Sequence, residues 1–152
     1  MLLDNLKSDL IKALKLKDSA CVETLRYLLA AIKYLEIDKY PPSVGGSLTQ
    51  DDILSVILKQ VKTHKESIEM FEKGKRDDLV LREKAQLEIL ERYLPKQMSQ
   101  EEIRVEIREV KAKLAGEGRS VNFGILMGEA MKSLKGKTDG SLVVKMVKEE
   151  LG

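Results

Sequence analysis

The chain has 152 residues, and 43% of them are apolar, which is enough to bury a hydrophobic core in one domain or in two small ones. Its 27 basic and 25 acidic residues nearly cancel, which excludes a strongly basic nucleic-acid-binding arm but permits a local basic patch. The single cysteine, Cys21, excludes a disulfide framework and a thiolate cluster for zinc. We therefore predict a folded protein of a reducing compartment, located in the cytoplasm.

Two helices are predicted in the first forty residues. Leucines recur at spacings of three and four in residues 1–17, which is the period of a helix with one buried face. The same stretch lacks the continuous apolar core of a signal peptide, and no segment approaches the roughly 18 apolar residues of a membrane span, so we expect neither export nor membrane insertion. A second helix is predicted from Asp18 or Ser19 to about Asp38.

The next part of the chain predicts a loop and two more helices. The prolines and glycines of residues 41–47 cannot sustain a helix. Thr49, with Asp52 three residues later, forms a variant of the capping box and predicts the start of a long third helix. Gly74 is predicted to end that helix in the left-handed conformation, and Asp77 to cap a fourth helix that ends before Pro95.

Three further helices are predicted after a short hinge at residues 95–98. Ser99 and Glu102 have the spacing of a full capping box, which indicates the start of a helix. Glycines close that helix, and apolar periodicity predicts two more helices near residues 120–134 and 139–151.

The predicted helices form two groups on either side of Pro95. We predict an all-α protein with an N-terminal four-helix domain at residues 1–95 and a C-terminal three-helix bundle at residues 96–152. The second group is near the lower size at which a small helical domain folds alone.

Residues suited to catalysis are few. No phosphate-binding loop, nucleophile elbow, zinc-spaced cluster or dinucleotide motif is present. His64 lies on the apolar face of the third helix, which favours a packing role over a general base. Asp77 and Asp78 point about 100° apart on a helix, which disfavours a catalytic carboxylate pair. Cys21 is either a thiol whose pKa the helix start lowers or a small buried thiol, the commoner case. We predict no catalytic residue, no cofactor and no metal.

Two glycines and a group of basic residues distinguish the C-terminal region. Gly124 and Gly128 share a helix face, which favours close packing of another helix over the approach of a ligand's phosphates. Between residues 119 and 148 there are six basic residues and two acidic ones. Free amides at the start of the last helix would add positive potential. The candidate RNA-binding residues are Arg119, Lys132, Lys135, Gly136, Lys137, Lys145 and Lys148.

Charge alone favours RNA binding and a solvated lysine-rich surface equally. Only 4% of the residues are aromatic, which disfavours base stacking and predicts that any RNA is recognised by its shape and backbone.

Four segments make the chain resemble a known family. They are FEKGKRDDL at 71–79, ERYLPKQMS at 91–99, GILMGEAM at 124–131 and GKTDG at 136–140. These segments resemble the YqeY proteins, which are similar to the C-terminal region of the GatB subunit of glutamyl/aspartyl-tRNA amidotransferase. The resemblance covers essentially the whole chain and implies a four-helix domain followed by a three-helix tail.

The resemblance implies a role beside an enzyme. In the amidotransferase, the similar region holds tRNA, while other parts of the complex transfer the amide and release ammonia. A label of carbon–nitrogen ligase with glutamine as amido-N-donor would therefore come from the family name and not from residues of this chain. We predict a tRNA-binding accessory that uses the basic tail; the alternative is a protein-interaction module that docks on a translation or amidotransferase component through a groove between the domains.

Overall fold

The structure, a computed structural model, describes all residues from Met1 to Gly152 and contains seven α-helices and no strand. The helices are α1 Leu2–Leu16, α2 Ser19–Lys39, α3 Gln50–Lys73, α4 Asp77–Glu91, α5 Gln100–Gly116, α6 Phe123–Leu134 and α7 Gly140–Leu151. The all-α prediction is confirmed. The chain forms two compact units, Met1–Leu94 and Pro95–Gly152. That each unit is a domain able to fold alone stays a prediction.

The first unit packs the apolar faces of α1 to α4 around one core. Residues at helical spacing from all four helices are fully buried there, because each helix presents a single apolar face to the others. These residues include Leu6, Leu25, Leu28, Ile53, Ile57 and Leu90. A membrane span needs a longer apolar run than any of the seven helices offers.

A buried carboxylate ties the end of α2 to the start of α3. Asp52 and Thr49 form the predicted capping box: the Thr49 amide donates to Asp52 Oδ2 at 2.9 Å, and the Asp52 amide donates to Thr49 Oγ1 at 3.1 Å. From the end of α2, Lys39 Nζ contacts Asp52 Oδ1 at 2.5 Å, and the Tyr40 hydroxyl donates to Oδ2 at 3.0 Å. The side chain of Asp52 is only 9% exposed. This network closes the proline- and glycine-rich loop between the two helices.

Helix α3 ends at Gly74 as predicted, but the left-handed residue lies one position later. Gly74 has a φ of −81°, so it is not the left-handed stop. The left-handed residue is Lys75, with a φ of 55°. The Lys75 amide donates to the Glu72 carbonyl at 3.1 Å and the Arg76 amide to the Phe71 carbonyl at 2.9 Å. This pair of bonds is the Schellman arrangement, which here contains a lysine where glycine is usual.

The start of α4 also differs from the prediction. Asp77 is the first helical residue, and the cap position belongs to Arg76, which makes no side-chain capping bond. The guanidinium of Arg76 instead lies 3.3 Å from each carboxylate oxygen of Asp78. The two acidic side chains at this helix start stabilise it through the positive end of the helix dipole.

The second unit packs α5, α6 and α7 around a core of its own. The capping box predicted at Ser99 and Glu102 is confirmed, with bonds of 3.2 and 2.7 Å. Helix α6 begins later than the periodicity predicted, because Asn122 Oδ1 accepts the Ile125 amide at 3.0 Å and so fixes the helix start. The fully buried core residues include Ile103, Ile107, Leu126, Leu134 and Val143.

Replacing Asp52 by asparagine tests the connection between α2 and α3. Hydrogen bonds from Lys39 and Thr49 hold the pKa of Asp52 well below its usual range. A carboxyl with a lowered pKa contributes stability above its unfolded pKa of roughly 4, and that contribution declines as the pH falls below this value. We expect Asp52→Asn to unfold at lower urea concentration than the wild type at pH 7, and the difference to shrink as the pH approaches 3.

The matched control is Asp51→Asn, which alters the exposed neighbour of Asp52 in the same helical turn. Urea titrations followed by circular dichroism at pH 7, 5 and 3 measure both variants. A loss at Asp52 that is no larger than at Asp51, or that does not depend on pH, would contradict the role given to the buried carboxylate.

Candidate nucleic-acid interface

The turn between α6 and α7, residues 135–139, carries the centre of the predicted RNA-binding region. Gly136 is buried and has a φ of 79°, a conformation that favours glycine. The Lys137 amide donates to the Leu134 carbonyl at 3.0 Å, which brings the chain back after α6. The turn therefore has a defined conformation that depends on Gly136.

The segment before α5, residues 95–98, is hydrogen-bonded to this turn. Gln97 Nε2 donates to the Gly136 carbonyl at 2.9 Å and to the Pro95 carbonyl at 2.8 Å, and the Met98 amide donates to the Lys137 carbonyl at 2.9 Å. Residues 95–98, predicted as a hinge, are thus hydrogen-bonded to the basic turn. Sequence reasoning missed Gln97, because a bond between two loops that lie 39 residues apart has no periodic pattern.

The start of α7 carries its own carboxylate. Asp139 Oδ1 accepts the Ser141 amide at 3.0 Å, and Oδ2 accepts the Ser141 hydroxyl at 2.7 Å. The prediction of free amides that add positive potential here is therefore wrong. A carboxylate at a helix start occupies the position that a phosphate would take, and its charge opposes that of the phosphate. Positive potential in this region comes from lysine side chains.

Two of the predicted RNA-binding residues share one acidic partner. Lys132 Nζ lies 2.8 Å from Glu129 Oε1, and Arg119 Nη2 lies 3.5 Å from the same oxygen. Arg119 also approaches Glu117 at 3.8 Å. The contact with Lys132, followed by that with Arg119, lowers the pKa of Glu129. The charges of Arg119 and Lys132 are thus largely balanced within the second unit.

The remaining lysines lie on the turn and on α7. Lys145 is exposed, Lys137 is half-buried, and neither forms an ion pair. Lys135 is also exposed. Lys148 Nζ lies 5.9 Å from the centre of the Phe123 ring, which is 39% exposed at the start of α6. Sequence reasoning, which relied on the low aromatic content, missed this aromatic surface beside a lysine.

The acidic residues at the end of α7 are paired with α5. Arg104 Nη2 lies 3.9 Å from Glu149, and Arg108 Nε lies 3.1 Å from Glu150. The Glu150 carbonyl also accepts a bond from Lys111 at 2.9 Å. The two carboxylates therefore have cationic partners of their own and do not pair with Lys145 or Lys148.

Gly124 and Gly128 differ from their predicted role in close helix packing. A Cβ atom added to Gly124 would meet only the side-chain oxygen of Asn122, at 3.6 Å. One added to Gly128 would meet nothing within 4 Å. Both glycines are exposed, so the absence of their side chains does not bring a second helix closer within this unit.

The residues considered for catalysis lie in the first unit. His64 Nδ1 pairs closely with Glu83 of α4, and both side chains are mostly buried. Burial, followed by the nearby charge of Asp18, raises the pKa of Cys21, so the thiol is not activated by the helix start. The Arg76 guanidinium lowers the pKa of Asp78. No group of three or more His, Cys, Asp or Glu side chains is arranged to hold a metal ion.

Comparison with known proteins identifies relatives along the whole chain. Residues 3–151 match the family model described as "Yqey-like protein". The chain is 33% identical over 155 residues to the mitochondrial protein "altered inheritance of mitochondria protein 41" of Pyrenophora tritici-repentis, a match covering all of this chain and 82% of that protein. The protein of the same name in Kluyveromyces lactis is 34% identical over 90% of this chain and 73% of its own length.

Shorter matches cover only part of each protein. The protein of the same name in Lachancea thermotolerans is 41% identical over 90 residues, or 59% of this chain and 46% of the relative. All three relatives are named as mitochondrial proteins. By this comparison, the cytoplasmic location predicted from composition is wrong. A single cysteine indicates a reducing compartment but does not identify which one.

Two glycine substitutions test the conformation of the basic turn. Gly136→Ala should lower the free energy of unfolding by about 1–2 kcal/mol, because alanine is strained in the left-handed conformation. Gly128→Ala should raise it by about 0.5–1 kcal/mol, because that helical position is open and alanine loses less backbone entropy. Urea titrations followed by circular dichroism measure both. Equal effects of the two substitutions would contradict the special conformation of Gly136.

Proposed function

The chain belongs to the YqeY family, and on that premise we propose that it is a non-catalytic accessory protein that binds tRNA through the basic surface of its second unit. We call the basic surface the turn at residues 135–139 together with α7. The observation that supports this proposal most is that two cations of this surface have no ion-pair partner: Lys137, in a turn of fixed conformation, and Lys145, on α7.

The chemistry of these groups suits a phosphate backbone. Lysine ammonium groups bind phosphate as point charges, and each contact releases a counterion from the RNA. The basic surface offers side chains that already project from an ordered scaffold, since Gln97 and Met98 hold the turn that carries Lys135 and Lys137. Arg119 and Lys132 contribute less to binding in this proposal, because Glu129 balances their charge.

In this proposal the chain is an accessory protein of the amidotransferase and has no catalytic role. This chain resembles the C-terminal region of the amidotransferase subunit GatB, a region that holds tRNA. We propose that this chain holds tRNA in the same manner. The ligase label with glutamine as amido-N-donor then describes an enzyme beside which the chain works. Purified protein incubated with glutamine, ATP and aminoacylated tRNA should form no amidated product.

A salt-titrated binding assay with total tRNA tests the proposal directly. We expect Lys137→Glu/Lys145→Glu to bind tRNA at least about tenfold more weakly. Because two phosphate contacts are removed, the slope of log affinity against log salt concentration should also become shallower, by the amount expected for about two contacts. The matched control is Lys7→Glu/Lys15→Glu on α1, which changes the net charge by the same amount at two exposed lysines of the first unit. The control should bind as the wild type does.

Three results would overturn the tRNA proposal: no binding of tRNA, binding that does not change with salt, and an equal loss in both double variants. Absence of binding would favour the alternative of a protein-interaction module. The decisive observation is then capture of a translation or amidotransferase component that survives nuclease treatment.

Phe123 provides a separate test of how the RNA is held. If a base stacks on the exposed ring beside Lys148, then Phe123→Ala should weaken tRNA binding by about 1–3 kcal/mol. Phe123→Leu keeps an apolar side chain of similar size but lacks the aromatic face, so it should lose a similar amount. Equal binding by wild type and the leucine variant would restrict recognition to the phosphate backbone. Filter binding at fixed salt measures both.

A further inference from the structure

The outer face of α2 carries an exposed row of apolar side chains. The row consists of Tyr27, Ala30, Tyr34 and Ile37, whose spacings of three and four residues place them on one side of the helix, away from the core. Tyr27, Tyr34 and Ile37 are 69%, 75% and 56% exposed. Helix α2 therefore has apolar residues on two opposite faces, whereas a helix at a solvent surface normally has one such face.

The spacing of this row is that of a coiled-coil seam. Steps of three, four and three residues are those between successive a and d positions of a heptad, with Tyr27 and Tyr34 at a and Ala30 and Ile37 at d. Tyrosine is also among the residues that contribute most to protein interfaces, because it buries a large area and has few rotamers to fix. These properties favour a second helix as the occupant of the row.

The charges beside the row indicate which helix would fit. Arg26 and Lys33 lie along one edge, at g positions, and Ala31 and Asp38 lie along the other, at e positions. Asp38 is exposed and forms no ion pair within the chain. Lys33 contacts Glu36 at 2.8 Å, but its side chain is 68% exposed and can reach a second carboxylate.

A parallel pair of α2 helices joins these opposite charges. In such a pair, a g residue of one helix lies beside the e residue five positions later in the other. Lys33 of one copy then lies beside Asp38 of a second copy, and two-fold symmetry repeats the contact. An antiparallel pair would instead place the edge with Arg26 and Lys33 against the same edge of the other copy, which brings like charges together.

We propose that α2 pairs in parallel and in register with α2 of a second copy of this chain, forming a two-fold symmetric homodimer. The tyrosines of the two copies pack together, and Ala30 allows the helix backbones to approach closely. A tyrosine side chain buries roughly 150–250 Å², so the two rows and their edges bury about 1,000 Å² in total, the lower limit for a specific interface. We therefore expect a weak dimer, with a dissociation constant of about 10–500 µM.

This interface is separate from the proposed tRNA surface. Helix α2 belongs to the first unit, whereas the basic surface belongs to the second. The variant Lys137→Glu/Lys145→Glu should accordingly dimerise as the wild type does, so failure of either proposal can be distinguished from failure of the other.

Sedimentation velocity on the full chain, between about 5 µM and about 1 mM, measures the dimer. Tyr34→Glu should weaken dimerisation at least about tenfold, because it places a carboxylate from each copy in the middle of the paired rows. Tyr34 lies outside the core, so the variant should keep the circular dichroism spectrum of the wild type. The matched control is Leu81→Glu, at a 70% exposed position of α4, which should dimerise as the wild type does.

Disulfide trapping tests the parallel register. In a Cys21→Ala background, Ala30→Cys and Ile37→Cys should each form an intermolecular disulfide on mild oxidation, because an in-register pair places each residue beside its own counterpart. An antiparallel pair would bring counterparts together only near its centre and would trap at most one of the two variants. Leu81→Cys should form no such bond.

Three results would overturn the homodimer. They are a wild type that stays monomeric at about 1 mM, equal dimerisation of Tyr34→Glu and Leu81→Glu, and failure of either Ala30→Cys or Ile37→Cys to cross-link. A wild type that stays monomeric would assign the row to a different protein.

Discussion

The need of each helix start for hydrogen-bond acceptors controls much of this structure. The first amides of an α-helix have no partner within the helix, and in five of the seven helices a side-chain oxygen supplies one. Asp18, Thr49, Ser99, Asn122 and Asp139 do so, and each sets the residue at which its helix begins. Capping by side chains has a consequence for function. Where the cap is a carboxylate, as at Asp139, the helix start no longer attracts an anion, so the proposed binding of phosphate would depend on lysine side chains.

The two units present different chemistry to a ligand. The second unit has lysines without acidic partners and also cations, such as Arg119, whose charge carboxylates balance. The first unit pairs Arg82 with Glu23 and His64 with Glu83, and its buried polar side chains are those of Thr24, Asp52, Gln60 and Gln86. The two units therefore differ in how much unbalanced charge they expose.

The sequence predicted features that depend on neighbouring residues and missed those that depend on distant ones. The capping boxes at Thr49 and Ser99 were predicted correctly, because the bonds involved span three residues. The left-handed residue after α3 was misplaced by one position. The rule that favours glycine there is a preference of about 1 kcal/mol, which the Schellman bonds around Lys75 overcome.

The candidate site was predictable only as a list of residue types. That Lys132 is neutralised while Lys145 is not follows from the position of Glu129, which composition does not reveal. The exposed ring of Phe123 was missed for a related reason: counting aromatic residues says nothing about where one of them lies. Burial of Cys21 decided its pKa against the effect of the helix start, and burial is a property of the packed unit.

The bond from Gln97 to the Gly136 carbonyl also has a thermodynamic consequence. Ordering a flexible segment at the moment of binding costs roughly 1–2 kcal/mol of backbone entropy per residue. Here the backbone of the basic turn is already fixed when the second unit folds, because Gln97 and Met98 donate to its carbonyls. A ligand that bound at this turn would meet a preorganised backbone and would lose little affinity to loop ordering. Its association would then depend on long-range electrostatic attraction and on the rotamers of a few lysines.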